Sequence, residues 1–168
     1  MKSLFFTLSL FICTPIFAQD KLGGVLPLQN GLVTFSDVVT ADSVSQIDLY
    51  QNAKRWFVTT YKSAKDVIQL DDKETGEIIG KGVFKIDYFQ RKPSIYHTIS
   101  IKVKDGRYKY TITDLSYSDV NGSTFNIEDF PSAWMGKKKL YTNIAEEVEQ
   151  IATSIKTALL SKPAKDDW

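Results

Sequence analysis

Two alternating runs meet at one Asp-Gly pair in IYHTISIKVKDGRYKYTITDLSY, residues 95–117. A two-residue type I′ loop needs positive φ at both central positions, which Asp-Gly adopts at low cost. Asp105-Gly106 therefore predicts a hairpin between strands 95–104 and 107–117. The turn also sets the register. Lys104 lies opposite Arg107, Val103 opposite Tyr108 and Lys102 opposite Lys109, followed by Ile101 with Tyr110, Ser100 with Thr111 and Ile99 with Ile112. Successive side chains alternate between the faces of a strand. Val103, Ile101, Ile99, Tyr108, Tyr110 and Ile112 then share a core face. Lys104, Lys102, Ser100, Thr98, Arg107, Lys109, Thr111 and Thr113 share the other.

The neighbouring run, residues 77–89, extends this division. Lys81, Val83 and Lys85 join the polar face, while Ile78, Phe84, Ile86 and Tyr88 join the core. Gly80 and Gly82 fall on the core face, where missing side chains let a helix approach closely; a bulge is the competing reading. Residues 67–70 read as a short strand before a turn at 74–76, and residues 31–40 (GLVTFSDVVT) read as another strand. Between them, Asp42 or Ser43 caps a helix over about 43–62, with Ser43 and Gln46 as a capping box. Ile47, Tyr50, Ala53, Trp56, Phe57 and Tyr61 form its apolar face, and Lys54, Arg55 and Lys62 favour its later turns.

Residues 118–142 carry no clear periodicity. A last helix follows, capped by Asn143 and Glu146, with Ile144, Val148, Ile151, Ile155, Ala158 and Leu159 as its stripe. Glu146, Glu147 and Glu149 early and Lys156 and Lys162 late suit the helix dipole, and Pro163 stops the helix before a polar tail, 163–168. The order β-α-β-β-β-β-α predicts one α+β domain over 31–162, an antiparallel sheet with two helices on one face.

Residues 1–18, MKSLFFTLSLFICTPIFA, have the layout of a secretory signal peptide cleaved after Ala18. The apolar run is too short to span a bilayer, and no transmembrane segment is expected after cleavage. Export to the periplasm or beyond follows. Cys13, the one cysteine, lies in this leader. Its alternative reading, a lipidation site, fits poorly with Leu10-Phe11-Ile12 before it. Removing residues 1–18 from the 168 leaves 150, ample for one cored domain. Lys2 is the leader's only charge, so 20 of 21 basic residues remain against 20 acidic ones. Bulk charge does not point to nucleic acid. Residues 19–30, with glycines and a proline, read as a flexible segment leading into the domain.

No catalytic constellation is visible, and no enzyme activity, cofactor or metal is expected. His97 is the only histidine, and alternation points it inward, so it reads as a core-edge residue. One histidine and no mature cysteine make a poor zinc site. Asp71, Asp72, Glu74 and Glu77 lack calcium-loop spacing and read as a solvated turn. The candidate binding residues are Lys81, Lys85, Lys102, Arg107 and Lys109 on the uncovered face, and Trp134 in the 118–142 stretch. On that face, a docking surface for an anionic partner competes with a solvated face whose charges are met by acids. In 118–142, aromatics followed by Lys137-Lys138-Lys139 suit either a membrane or protein contact or the covering of a sheet edge. The leading expectation is a non-enzymatic binding or adaptor module that meets an envelope protein, a glycan or an anionic surface. The alternative is a carrier with an apolar ligand among Tyr50, Trp56, Tyr108 and Tyr110.

These segments resemble a family of secreted Bacteroidetes-type proteins grouped as a domain of unknown function with a TATA-binding-protein-like (TBP-like) fold. The resemblance rests on Ile47-Asp48-Leu49-Tyr50 with Trp56, on Gly80-Lys81-Gly82, and on Lys104-Asp105-Gly106-Arg107-Tyr108-Lys109-Tyr110, within roughly 37–115. It implies a curved antiparallel sheet backed by two helices, and no activity. DNA binding does not travel with the fold name, and this face lacks the inserting aromatics that kink a minor groove.

Overall fold

The computed structural model describes residues 20–61, 64–119, 121–131 and 135–161. The leader 1–18 with Cys13, Trp134 and the tail 163–168 lie outside the described residues. Strands β1 (Lys21–Leu22), β2 (Leu26–Gln29) and β3 (Leu32–Val33) make a small antiparallel ribbon. The main sheet holds β4 (Phe35–Thr40), β5 (Ile68–Asp72), β6 (Glu77–Lys85), β7 (Ser94–Lys104), β8 (Arg107–Ser118) and β9 (Thr124–Asn126). Its order is β4-β8-β7-β6-β5, with β9 also paired to β8. The helices are α1 (Gln46–Thr60), a single turn α2 (Ala64–Val67) and α3 (Lys137–Leu160). The architecture is α+β, with antiparallel sheets and two long helices.

The hairpin register is the one set by Asp105-Gly106, from Lys104 opposite Arg107 to Ile99 opposite Ile112. Val103, Ile101, Ile99, Tyr108 and Ile112 are buried, and Tyr110 is half-buried. Beyond Thr98 the register shifts, because β8 spends an extra residue near Asp114, whose φ is 53°. Unbroken alternation would turn Asp114 and Ser116 inward. The bulge resets the phase and keeps Leu115 and Tyr117 in the core. A second bulge lies between Ile68 and Leu70. It turns Asp71 toward α1, where the carboxylate accepts from Tyr50 and pairs with Lys54 at 2.5 Å, and it leaves Leu70 outside.

Gly80 and Gly82 sit in regular β6–β7 pairing, not in a bulge. A Cβ on Gly80 would fall 2.5 Å from Phe57 Cε1, and one on Gly82 would fall 2.5 Å from Tyr61 Oη and 2.6 Å from His97 Nε2. The bare backbone thus admits the aromatic face of α1. Phe57 is fully buried, and Trp56 packs edge-on to it at 4.9 Å. Across the helices, Trp56 Nε1 donates to Ser154 Oγ at 3.1 Å and Asn52 Nδ2 to the Leu159 carbonyl at 3.2 Å.

Other expectations change. Residues 19–30 are not a loose lead-in: β1 and β2 pair, Leu26 is fully buried, and α3 contacts β2. The domain therefore begins before residue 31. The strand expected over 31–40 divides at Thr34, because its two halves join different sheets. The ribbon is tied down by the Val33 N–H donating to Glu128 at 2.6 Å. The cap of α1 is Ser45, which accepts from the Asp48 N–H, whereas Ser43 is left-handed at φ 66°. Ile47 faces outward, and Leu49 and Asn52 take the inner positions. β6 ends at Lys85 rather than 89. The 118–142 stretch contains β9 and the start of α3, which is capped by Gly136 rather than Asn143. Glu146, Glu147 and Glu149 are consequently mid-helix, and three lysines occupy the first turn.

His97 is buried at the α1–sheet contact, with Nε2 3.1 Å from Tyr61 Oη. Burial pushes its pKa down to about 4 and raises that of Tyr61 to about 12. Unfolded histidine protonates near 6.5. Between pH 6.5 and about 4 the unfolded chain takes up a proton that the folded chain refuses, so stability falls as pH drops through this window. The drop to about 4 corresponds to on the order of 3 kcal/mol at 1.36 kcal/mol per pH unit. Urea unfolding between pH 7 and 4 checks this: His97→Gln should flatten the acid limb, and an unchanged limb would assign it to carboxylates. Gly80→Ala should lose about 1–3 kcal/mol by overpacking Phe57, against at most about 1 kcal/mol returned through unfolded-state entropy. An unchanged unfolding midpoint in that variant would contradict the close contact.

Candidate docking face

With α1 and α3 on one side, the other face of the main sheet is open. Its rows follow from the register. Thr40, Arg107 and Lys104 form the row nearest the Asp105-Gly106 turn. Next come Val38, Lys109, Lys102, Glu77 and Asp72. Ser36, Thr111, Ser100, Ile79 and Leu70 form the third row, followed by Thr113, Thr98 and Lys81. Tyr96 and Val83, 49% and 47% exposed, face out beyond the bulge, and Ser118, Ser94 and Lys85 close the far end. The face is therefore basic at the turn, rich in hydroxyls at the centre and partly apolar beyond it.

The positive end holds two like-charged pairs directly across β7 and β8, Lys104 with Arg107 and Lys102 with Lys109. Such pairs cost a few tenths to about 1 kcal/mol each. Glu77 offsets one of them. It meets Lys102 Nζ at 3.2 Å, and Ser100 Oγ donates to its other oxygen at 2.9 Å. The Asp72 carboxyl is held below the usual range first by the Thr75 side chain, with Lys102 adding a smaller pull. Among the described residues, Lys102 is the one cation of this group in an ion pair, and Lys104, Arg107 and Lys109 have none. Val38, Lys102, Lys104, Arg107 and Lys109, with Tyr108, border a depression of about 310 Å3.

The structure thus brings together Lys102, Arg107 and Lys109. It adds Lys104 and Val38, whose place beside Lys109 depends on the β4 register that no local pattern signals. Lys81 lies two rows away, and Lys85 is eight residues along β6 from Glu77, about 26 Å at 3.3 Å per residue. Neither borders the depression. The acidic turn is internally bonded, with Asp72 Oδ1 accepting from the Glu74 and Thr75 N–H groups.

Two of the four aromatics expected around an apolar ligand are committed to other partners, and Tyr110 is half-buried. Tyr50 donates to Asp71 and Trp56 to Ser154, and both are buried, as is Tyr108. Tyr50's own pKa is raised, first by burial and then by Asp71.

A comparison with curated proteins finds no match. Among solved structures, a TBP-like protein from Parabacteroides distasonis is similar at a TM-score of 0.74 and 19% identity, over 82% of this chain and 99% of that one. A DUF4468 family protein from Bacteroides ovatus is similar at 0.70 and 17%, over 84% and 94%. At these identities the likeness is one of fold. The model of the family described as "Domain of unknown function (DUF4468) with TBP-like fold" matches residues 35–118, which span β4 to β8 with α1, and the chain belongs to that family.

Proposed function

We propose that the protein is a non-enzymatic binding or adaptor module whose open sheet face docks an anionic partner, an acidic protein segment or an acidic glycan. One observation carries the reading. A depression of about 310 Å3 is bordered by four cations, of which Lys102 alone has an ion-pair partner among the described residues. Like charges held side by side on a rigid hairpin oppose folding and favour an oppositely charged ligand. Val38, 56% exposed, gives the site an apolar wall that a purely solvated face does not need. The leader-like residues 1–18 support a partner in the bacterial envelope. The carrier alternative has no comparable support, because Tyr50 and Trp56 are closed in by their own hydrogen bonds.

Fluorescence anisotropy with a labelled oligoglutamate, repeated at rising salt, tests the reading. Binding should weaken as salt screens the face. Arg107→Glu with Lys109→Glu should lower affinity about fivefold or more, at 0.2–1 kcal/mol for each exposed charge contact and more once the sign is reversed. Lys156→Glu on α3, away from the face, should leave affinity unchanged. Equal affinity in the double variant and the parent would remove the docking face from consideration.

A further inference from the structure

At the opposite end of β7 from the basic depression, the β6–β7 connection meets the start of α3. Tyr88 and Arg91 pair through both of their backbone groups, at 2.9 Å each way, and close a two-residue turn over Phe89 and Gln90. Both central residues are left-handed, at φ 44° and 63°. Asn and Gly take such positions readily; a bulky aromatic does so under strain of about 1–3 kcal/mol. The strain secures no burial, since Phe89 stays 58% exposed. Its ring lies against Gly136, where a Cβ would sit 2.3 Å from Phe89 Cε2, and Lys139 Nζ lies 5.4 Å from its centroid. Tyr88 Oη donates to the Met135 carbonyl at 3.1 Å, while Met135 itself is 89% exposed.

The charges at this corner also oppose the fold. Helix α3 opens with Lys137-Lys138-Lys139, with no acid in the first turn and no side-chain cap. A cation there works against the helix dipole, by about 0.3–1 kcal/mol. Lys137 is partly used, donating to the Phe130 carbonyl at 3.2 Å and lying over Tyr141. Lys138, Lys139 and Arg91 are exposed, and the nearby acid Asp87 is paired with Lys92 at 2.8 Å. A strained exposed aromatic, an exposed methionine and wrong-signed charges thus coincide. Each becomes favourable against one kind of partner: apolar tips enter an acyl boundary while cations meet lipid phosphates. An acidic polysaccharide would use the cations and leave Phe89 and Met135 unexplained.

We propose that the corner formed by Phe89, Arg91, Met135, Lys138 and Lys139 docks on an anionic lipid surface. The contact is peripheral, since no helix among the described residues is long and apolar enough to cross a membrane. It stands independently of the sheet face. Ser94 and Lys104 mark the two ends of β7, ten steps of about 3.3 Å apart, so a molecule resting on this corner holds the basic depression about 33 Å away.

Vesicle flotation of the full chain tests this, with phosphatidylcholine alone and with phosphatidylglycerol raised to about one third. All variants share residues 1–18, so binding through that segment is a common background. The parent should prefer anionic vesicles about tenfold or more, at about 1 kcal/mol per lysine near the surface. Lys138→Glu with Lys139→Glu should abolish the preference. Met135→Ser, at a side chain that is almost wholly solvent-exposed, and Phe89→Asn, which suits the left-handed turn, should fold normally and still lose anionic binding several-fold. Equal binding to both vesicles overturns the proposal. So does full binding by the Phe89→Asn, Met135→Ser double variant; if that variant and the parent also bind dextran sulfate equally, the corner belongs to a soluble polyanion.

Discussion

The structure depends on one close approach. Gly80 and Gly82 remove two side chains from the inner face of β6, and Phe57 and Tyr61 of α1 occupy the space. No other residue permits this, because any Cβ there falls well inside van der Waals contact. The consequence reaches beyond packing. With α1 seated against the sheet and α3 seated against α1, both long helices lie on one side and the opposite face is left to solvent. The same contact encloses His97, and that burial lowers its pKa.

Two bulges then decide which residues face which layer. The irregularity at Gln69 turns Asp71 toward Tyr50 and Lys54, giving the edge strand a polar tie to α1. The irregularity at Asp114 restores Leu115 and Tyr117 to the core after the hairpin has used Tyr108, Tyr110 and Ile112 on the even positions. Without that reset, the aromatic and leucine side chains of late β8 would lie on the open face, and β9 would pair beside a different surface.

What the fold leaves exposed is electrostatically costly in two places. The turn end of the sheet gathers Lys102, Lys104, Arg107 and Lys109 with Glu77 as partial compensation, and α3 begins with three lysines. The like-charged pairs of the hairpin and the lysines in the first turn of α3 work against the fold, and they are tolerated because the apolar inner faces of the same elements supply the stability. Exposed pairs are worth tenths of a kcal/mol to about 1, whereas burying an aliphatic or aromatic core side chain is worth about 1.5–3.

Much of the fold was legible in local pattern. Asp105-Gly106 determined the hairpin, its register and its two faces, and the glycines of β6 marked where a helix comes close. The cations of the open face could be named because strand alternation is a nearest-neighbour property. Local pattern failed wherever a long-range contact decided the outcome. Leu26 became core because α3 covers the ribbon; Thr34 became a break because two sheets compete for its neighbours; α3 began at Lys137 against its own dipole because Leu140 and Tyr141 are buried. The site divided in the same way. Lys102, Arg107 and Lys109 were readable within one hairpin, but Val38 beside them and Glu77 against Lys102 came from strands distant in the chain. The sequence alone therefore determined the hairpin, its register from Lys104 to Ile99 and its two faces, and the course of α1, through contacts of a few residues. Tertiary structure decided which charges are compensated and which surfaces remain open, because those depend on strand order and helix docking, which no short stretch encodes.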